Sequence, residues 1–212
     1  MSRLIAFGCS NTYGHGLSDC FLPPDLSGPI PSKLAWPNHL ANLMNIDTVV
    51  NNSRCGSSNK EIWDEILKFK FNQDDVVFIL WSFIDRTCFF TDKYPDLCDG
   101  IIKILPGIES RYSKVYYKLF YSSVDQMLDF SLRVDHCARY LTSLNLKFYN
   151  LYVEGIENIN LSTWNSTNFL NVNFFENQKH YPLALDNSHA GIEAHQSYAK
   201  SVFENLTVFK KE

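Results

Sequence analysis

The sequence predicts a three-layer α/β/α sandwich, with about five parallel strands in one sheet and helices on both of its faces. Three observations carry that expectation. Short apolar runs alternate with segments of helical periodicity along the chain. The clearest run, "DDVVFILW" at 74–81, is almost unbroken, which suits a strand buried on both sides. The chain has 212 residues, 45% hydrophobic and 20% charged, which suits one domain with a sizeable core.

The elements follow in chain order. "RLIAFG" at 3–8 is a short apolar run closed by glycine, a buried strand. Residues 18–33 contain Pro23, Pro24, Pro29 and Pro31, which demands a loop. In 35–45, Trp36, Leu40, Leu43 and Met44 recur at helical spacing, with Pro37 tolerated in the first turn. "DTVVNNS" at 47–53 is the second strand. The helix expected over 57–71 has Ser57 or Ser58 as cap and Ile62, Ile66, Leu67 and Phe69 as its apolar stripe. The third strand is 74–81. Residues 86–111, with Pro95, Pro106 and two glycines, read as an irregular insertion or lid. A long helix spans 113–144, with Val124, Met127, Leu128, Leu132 and Ala138 on or near one face and Leu141 and Leu144 continuing it. "LKFYNLYV" at 146–153 is the fourth strand, and "FLNVNF" at 169–174 suits a short fifth within an Asn-rich region. The last helix covers 188–206, its core side lined by Ile192, Tyr198, Ala199, Val202, Phe203 and Leu206. In such a sheet ligands bind beyond the carboxyl ends of the strands. The segments 8–16, 52–59, 82–91 and 154–189 are therefore where chemistry is expected.

Bulk properties remove several function classes. Net charge is -4, and the best basic run is Lys210-Lys211, so a nucleic-acid partner is not expected. Six scattered cysteines without a CxxC pair fit free thiols in a reducing compartment and give no zinc signature. The N-terminus lacks a charged segment followed by a long apolar one, and no apolar run reaches membrane-spanning length. A cytoplasmic protein without a membrane partner is the expectation. Aromatic residues reach 15%, which points to an aromatic core or to a surface that faces carbohydrate or lipid.

"FGCSNTYGHG" at 7–16 leaves the first strand. It is neither GxGxxG nor a P-loop, and no acidic residue ends the second strand to take a ribose. Nor is it the nucleophile elbow GxSxG, because its pattern is G-x-S-x-x-x-G. Ser10 alone fits a helix cap or a nucleophile. "LDNSHAGIEAH" lies at the other end of the chain. There Asp186 and His189 have the spacing that lets a carboxylate hold an imidazole in one tautomer and leave Nε2 free as a base. A helix cap plus an exposed first-turn histidine fits the same pair. Ser10 and the Asp186/His189 pair fall on the same edge of the expected sheet. A serine hydroxyl is a poor nucleophile until such a base is within reach.

Taken together, these blocks resemble the SGNH (GDSL-type) hydrolases. "FGCSNTYG" is similar to that family's first block, with Cys9 where Asp is usual. "NNSRCGSSN" is similar to its second block, and "DNSHAG" to its Asp-x-x-His block. The third block departs: the strand ends "ILWSFIDR", with Phe83 where the family's oxyanion Asn falls. "WS" followed by Arg86 is similar to a divergent branch often encoded by phages, which would make a virion-associated location an alternative.

The resemblance implies a flavodoxin-like SGNH fold as one domain over 1–212. It also implies a serine esterase that works through an acyl-enzyme and needs no metal or organic cofactor. Ser10 would be the nucleophile, His189 the base and Asp186 its partner, with the backbone N–H groups of Ser10 and Gly56 holding the oxyanion. Loss of one oxyanion donor removes about 3 kcal/mol of transition-state stabilisation unless another group replaces it. Asn59, Ser82 and Arg86 are the candidates for that replacement or for substrate contact. Arg86 equally fits a surface ion pair. His15 fits an exposed loop residue or a substrate contact. The expected substrate is a small acyl ester, an O-acetyl group on a carbohydrate first. A non-catalytic module with the same fold, or an acyltransferase, is the alternative.

Overall fold

A computed structural model of the chain describes residues 2–24, 26–93, 100–153 and 168–209. The first strand, β1 (Arg3–Phe7), leads into a one-turn helix, α1 (Ser10–Tyr13). The proline-rich loop carries two two-residue strands, β2 (Phe21–Leu22) and β3 (Leu26–Ser27). After them come α2 (Trp36–Leu43), β4 (Thr48–Asn51), α3 (Asn59–Lys68) and β5 (Val76–Trp81). Next are β6 (Thr87–Phe90), β7 (Ile101–Ile104), α4 (Arg111–Leu119), α5 (Ser123–Ser143) and β8 (Lys147–Tyr152). The chain ends with β9 (Phe169–Asn173), α6 (Phe174–Gln178) and α7 (Ile192–Phe209).

The main sheet has five strands in the order β4-β1-β5-β8-β9, every neighbouring pair parallel. This is the flavodoxin-like order, and it reverses beside β1, so a crevice opens at the carboxyl ends of β1 and β5. Successive side chains on β5 serve opposite layers. Phe78 and Leu80 face a cluster with Trp36, Leu40, Tyr198 and Val202 from α2 and α7. Val77, Ile79 and Trp81 face Ile62 and Ile66 of α3 and Phe130 and Val134 of α5. Burial on both faces is why this strand is apolar throughout.

Local signals explain the element ends. Ser58 accepts the Glu61 N–H, and the Glu61 carboxylate accepts the Ser58 N–H at 2.9 Å, so a reciprocal capping box starts α3. Trp81 is fully buried, and its Nε1–H donates to Asn150 Oδ1 at 2.8 Å.

Four expectations need correction. The segment 86–111 contains an antiparallel hairpin, β6 with β7, within its described part. The predicted helix over 113–144 is two helices. The Phe120 and Tyr121 N–H groups both close on Tyr116 O, and Ser122 then caps α5 through the Asp125 N–H. The predicted face of that helix holds only in part. Met127, Ala138 and Leu141 pack on the core with Phe130, Val134 and Cys137, whereas Val124, Leu128 and Leu132 are 78%, 59% and 62% exposed. Two apolar stripes share this helix, and the sheet takes the one whose Phe130 ring meets Trp81 edge-on. Finally, the last helix begins at Ile192 rather than 188, so Asp186 and His189 lie in the preceding turn.

Cys98 and residues 154–167 of the Asn-rich region lie outside the described residues. The other five cysteines are free thiols. No helix among the described residues is long and apolar enough to cross a membrane.

Candidate active site

Ser10 stands on the first turn of α1, directly beyond β1. Cys9 O accepts the N–H groups of Thr12 and Tyr13, and Ser10 O accepts those of Gly14 and His15. The turn sits close under the sheet edge. A Cβ on Gly8 would lie 2.1 Å from Thr12 Oγ1 and 3.2 Å from Leu80 O, so this exit needs a residue without a side chain. The loop after β4 is tied to it: Asn51 Nδ2 donates to Thr12 O at 2.7 Å, and Arg54 N–H donates to Gly8 O at 3.3 Å.

The turn at 184–191 comes to the same edge. Leu185 N–H donates to Gly16 O at 3.0 Å, and Ala184 N–H donates to His189 O at 2.9 Å. Asp186 is the hub of this turn. Its Oδ1 accepts the backbone N–H groups of Ser188 at 3.1 Å and His189 at 3.0 Å. Its Oδ2 accepts the Ser188 hydroxyl at 2.9 Å and His189 Nδ1–H at 2.5 Å. Close packing holds the carboxylate in place: Gly16 has φ +83°, and a Cβ there would sit 2.6 Å from Asp186 Oδ1.

His189 Nε2 lies 3.0 Å from Ser10 Oγ. The run Ser10 Oγ, His189 imidazole and Asp186 carboxylate is thus within hydrogen-bond reach at both links, joining residues from the two ends of the chain. Burial alone would raise the Asp186 pKa, but the hydrogen bonds from His189 and Ser188 hold it well below the usual carboxylate range. Burial lowers the His189 pKa, with His15 and Arg86 acting the same way, while Asp186 opposes them. The net effect favours the neutral imidazole, the form that can accept a proton.

The other expected residues are placed as follows. Gly56 lies in the turn between β4 and α3, beside Lys103 and Leu105 of the hairpin segment. Asn59 is buried, and its amide binds the backbone after β5: Nδ2 donates to Ser82 O at 3.1 Å, and Oδ1 accepts Ser82 N–H at 2.7 Å. Ser82 is buried, with Arg86 Nη1 3.4 Å from its Oγ. The Arg86 guanidinium lies over the Phe83 ring, 4.3 Å from its centroid, and the Phe83 ring packs on Phe175.

His15 differs from the exposed reading, being only 8% exposed. Its Nε2 is 3.5 Å from Asp186 Oδ2, and its ring meets His189 edge-on with centroids 4.7 Å apart. Its Nδ1 is 2.5 Å from Ser27 Oγ, which in turn lies 3.0 Å from Cys55 Sγ. Nothing within the first loop marks His15 as buried, since its contacts with Asp186 and His189 lie in the turn at 184–191. His15, Asp186 and His189 are also the one His/Cys/Asp/Glu group among the described residues dense enough for a metal ion, with ligand atoms within 4.8 Å of one another. In this arrangement the same atoms hydrogen-bond to one another and to Ser10.

No protein-family model matches the chain, and no curated protein matches it in sequence. Solved structures match it along its length. A G-D-S-L-family protein from Desulfitobacterium hafniense DCB-2 is 13% identical with a TM-score of 0.55, covering 96% of this chain and 98% of that one. The psychrotrophic esterase EstA from Pseudoalteromonas sp. is 8% identical with a TM-score of 0.54, covering 99% of both chains. A catalytic variant of Axe2, an acetylxylan esterase from Geobacillus stearothermophilus, is 15% identical with a TM-score of 0.50, covering 96% of this chain and 93% of that one. The likeness is one of fold: the chain has the α/β fold of the SGNH, or G-D-S-L, hydrolases.

Proposed function

We propose that the protein is a serine esterase that cleaves a small acyl ester, an O-acetyl group on a carbohydrate first among them. The observation that carries the reading is the pair of contacts at His189, 3.0 Å to Ser10 Oγ and 2.5 Å to Asp186 Oδ2. Ser10 Oγ attacks the ester carbonyl while His189 Nε2 takes its proton. The tetrahedral intermediate collapses to an acyl-Ser10, and His189 returns the proton to the leaving alcohol. Water then attacks the acyl group by the same route in reverse. Asp186 holds the imidazole tautomer and stabilises its charged form.

The backbone N–H groups of Ser10 and Gly56 are the proposed oxyanion donors. Ser10 N–H is a first-turn donor of α1 and so has no intrahelical acceptor. Arg86 is the proposed replacement for the Asn that Phe83 displaces, since its charge is near enough to act on His189. Asn59 is a positioning residue in this reading, because its amide already bridges to Ser82. The fold likeness to an acetylxylan esterase supports the acetyl-carbohydrate choice. A second reading, a binding module that keeps the fold without turnover, draws on Phe83 at the usual Asn position.

The test uses a fluorophosphonate probe, an aryl acetate and acetylated xylo-oligosaccharide with the native chain, Ser10→Ala and His189→Ala. The expected result is labelling and acetate release by the native chain, with labelling abolished in Ser10→Ala and turnover reduced by at least ~10³-fold in both variants. Equal behaviour of all three proteins would overturn the hydrolase reading. Labelling of Ser10 without release from any ester would favour the binding module.

A further inference from the structure

We infer that His15 is a positioning residue for the Asp186–His189 pair, acting as a second N–H donor to the carboxylate oxygen that His189 already engages; this rests on the esterase reading above. Two imidazoles converge on one oxygen, Asp186 Oδ2: His189 Nδ1 at 2.5 Å and His15 Nε2 at 3.5 Å. Asp186 is 1% exposed at its side chain and His15 10%, so water screens this contact little.

At one end of the ring, Ser27 Oγ lies against both His15 Nδ1 and Cys55 Sγ. At the other, a buried ring nitrogen that faces a carboxylate oxygen does so favourably only as N–H, since a bare lone pair there would be repelled, and His15 Nε2 is so placed. The contact is longer than a full hydrogen bond, so its effect is chiefly electrostatic.

The consequence concerns both orientation and pH. A donor at His15 fixes Asp186 and withdraws charge from Oδ2, which tunes how strongly Asp186 supports protonated His189. The His15 ring lies one edge-on contact from the His189 ring, and its influence opposes protonation of His189. Among the described residues, the groups that face this pair are Asp186 and His189 from the turn before α7, Arg86 from beyond β5, and Cys55 through Ser27. Cys20, Cys9 and Lys103 act on Cys55 in turn.

The test compares the native chain with His15→Leu, which keeps bulk without a donor, and His15→Gln, which keeps an N–H without titrating. The readouts are kcat and KM for aryl acetate against pH, and imidazole NMR titration of His189, which needs no turnover. The expected result is a ~10-fold lower kcat at unchanged KM in His15→Leu. His15→Gln should recover kcat to within about threefold of the native value, as expected where one donor replaces another. The His189 titration and the acid limb of kcat/KM should move to higher pH in both variants.

Native kcat with an unmoved His189 titration in both variants would overturn the inference. So would His15→Gln performing as poorly as His15→Leu with the titration unmoved, since that is the mark of packing alone. If the native chain neither labels at Ser10 nor turns over ester, the esterase reading fails by itself. The His189 titration then still decides on His15: a shift sustains the contact, and no shift overturns it.

Discussion

At the scale of single residues, the open chemical question is the missing oxyanion side chain. Phe83 cannot donate, and Arg86 lies over the Phe83 ring with its Nη1 3.4 Å from Ser82 Oγ. A guanidinium there would stabilise a developing oxyanion, and it also disfavours the charged form of His189, whose pKa burial, together with His15 and Arg86, lowers from 6.5. Both effects can be read in one variant. Arg86→Leu is expected to reduce kcat by ~10²-fold or more. It should also move the acid limb of kcat/KM to higher pH, because removal of a positive neighbour eases protonation of His189. Arg86→Lys should keep the native limb while recovering only part of kcat, since the charge remains without the planar fork. A pH–rate series on the three proteins checks this. Unchanged kcat in Arg86→Leu would make the residue a surface cation stacked on Phe83 and nothing more.

At the scale of elements, α5 shows how two apolar stripes on one helix can be read as a single face, since Met127 and Ala138 pack on the core while Val124, Leu128 and Leu132 do not. Phe130 and Val134 are buried against the sheet, and Val124, Leu128 and Leu132 repeat at the same spacing on the solvent side. Phe130→Ala is expected to cost about 3–5 kcal/mol through lost burial and a cavity. Leu128→Lys and Leu132→Lys should each change stability by less than about 0.5 kcal/mol. Urea unfolding of the three variants distinguishes the faces, and a large loss in the lysine variants would reverse the assignment.

The same ambiguity marks the limits of the sequence as a guide. The central strands β1 and β5 were legible because burial on both faces leaves an uninterrupted apolar run. The cap of α3 was legible to within one residue, Ser57 or Ser58, and the reciprocal bond with Glu61 selects Ser58. The helix break at 120–122 had a signal too, Ser122 three residues before Asp125, but an apolar period running through it hid the stop. The β6–β7 hairpin looked irregular because prolines and glycines dominate its surroundings. Ser10, Asp186 and His189 were legible as a set because strand order predicts which loops share an edge. His15 was not, since its burial depends on the turn at 184–191 folding over it, a contact of long sequence separation.

At the scale of the whole molecule, several buried ionisable groups give stability the same dependence on pH. His195 on α7 is fully buried, and its Nδ1 accepts the Trp36 N–H of α2 at 3.1 Å. Protonation at Nδ1 would break the bond that joins these two helices, and burial lowers the pKa from 6.5 to about 3. Burial lowers the pKa of His39, on α2, in the same direction, and His189 follows it. Between pH 6.5 and 3 the unfolded chain therefore binds protons at His195 that the folded chain refuses. Stability is fully present above the unfolded value and is lost as pH falls toward the folded one. His195 alone should contribute on the order of 1 kcal/mol per pH unit across that window. Asp186, with its depressed pKa, adds a loss of the same sign below the ordinary carboxylate range. His195→Asn keeps an acceptor for the Trp36 N–H and does not titrate there. Urea unfolding from pH 8 down to pH 4 is expected to show the variant less stable than the native chain at pH 8, through lost packing. The gap should close as pH falls, because the native chain loses a proton-linked term that the variant lacks. Parallel curves for the two proteins would mean that His195 is charged in the folded core, which is incompatible with Nδ1 accepting the Trp36 N–H.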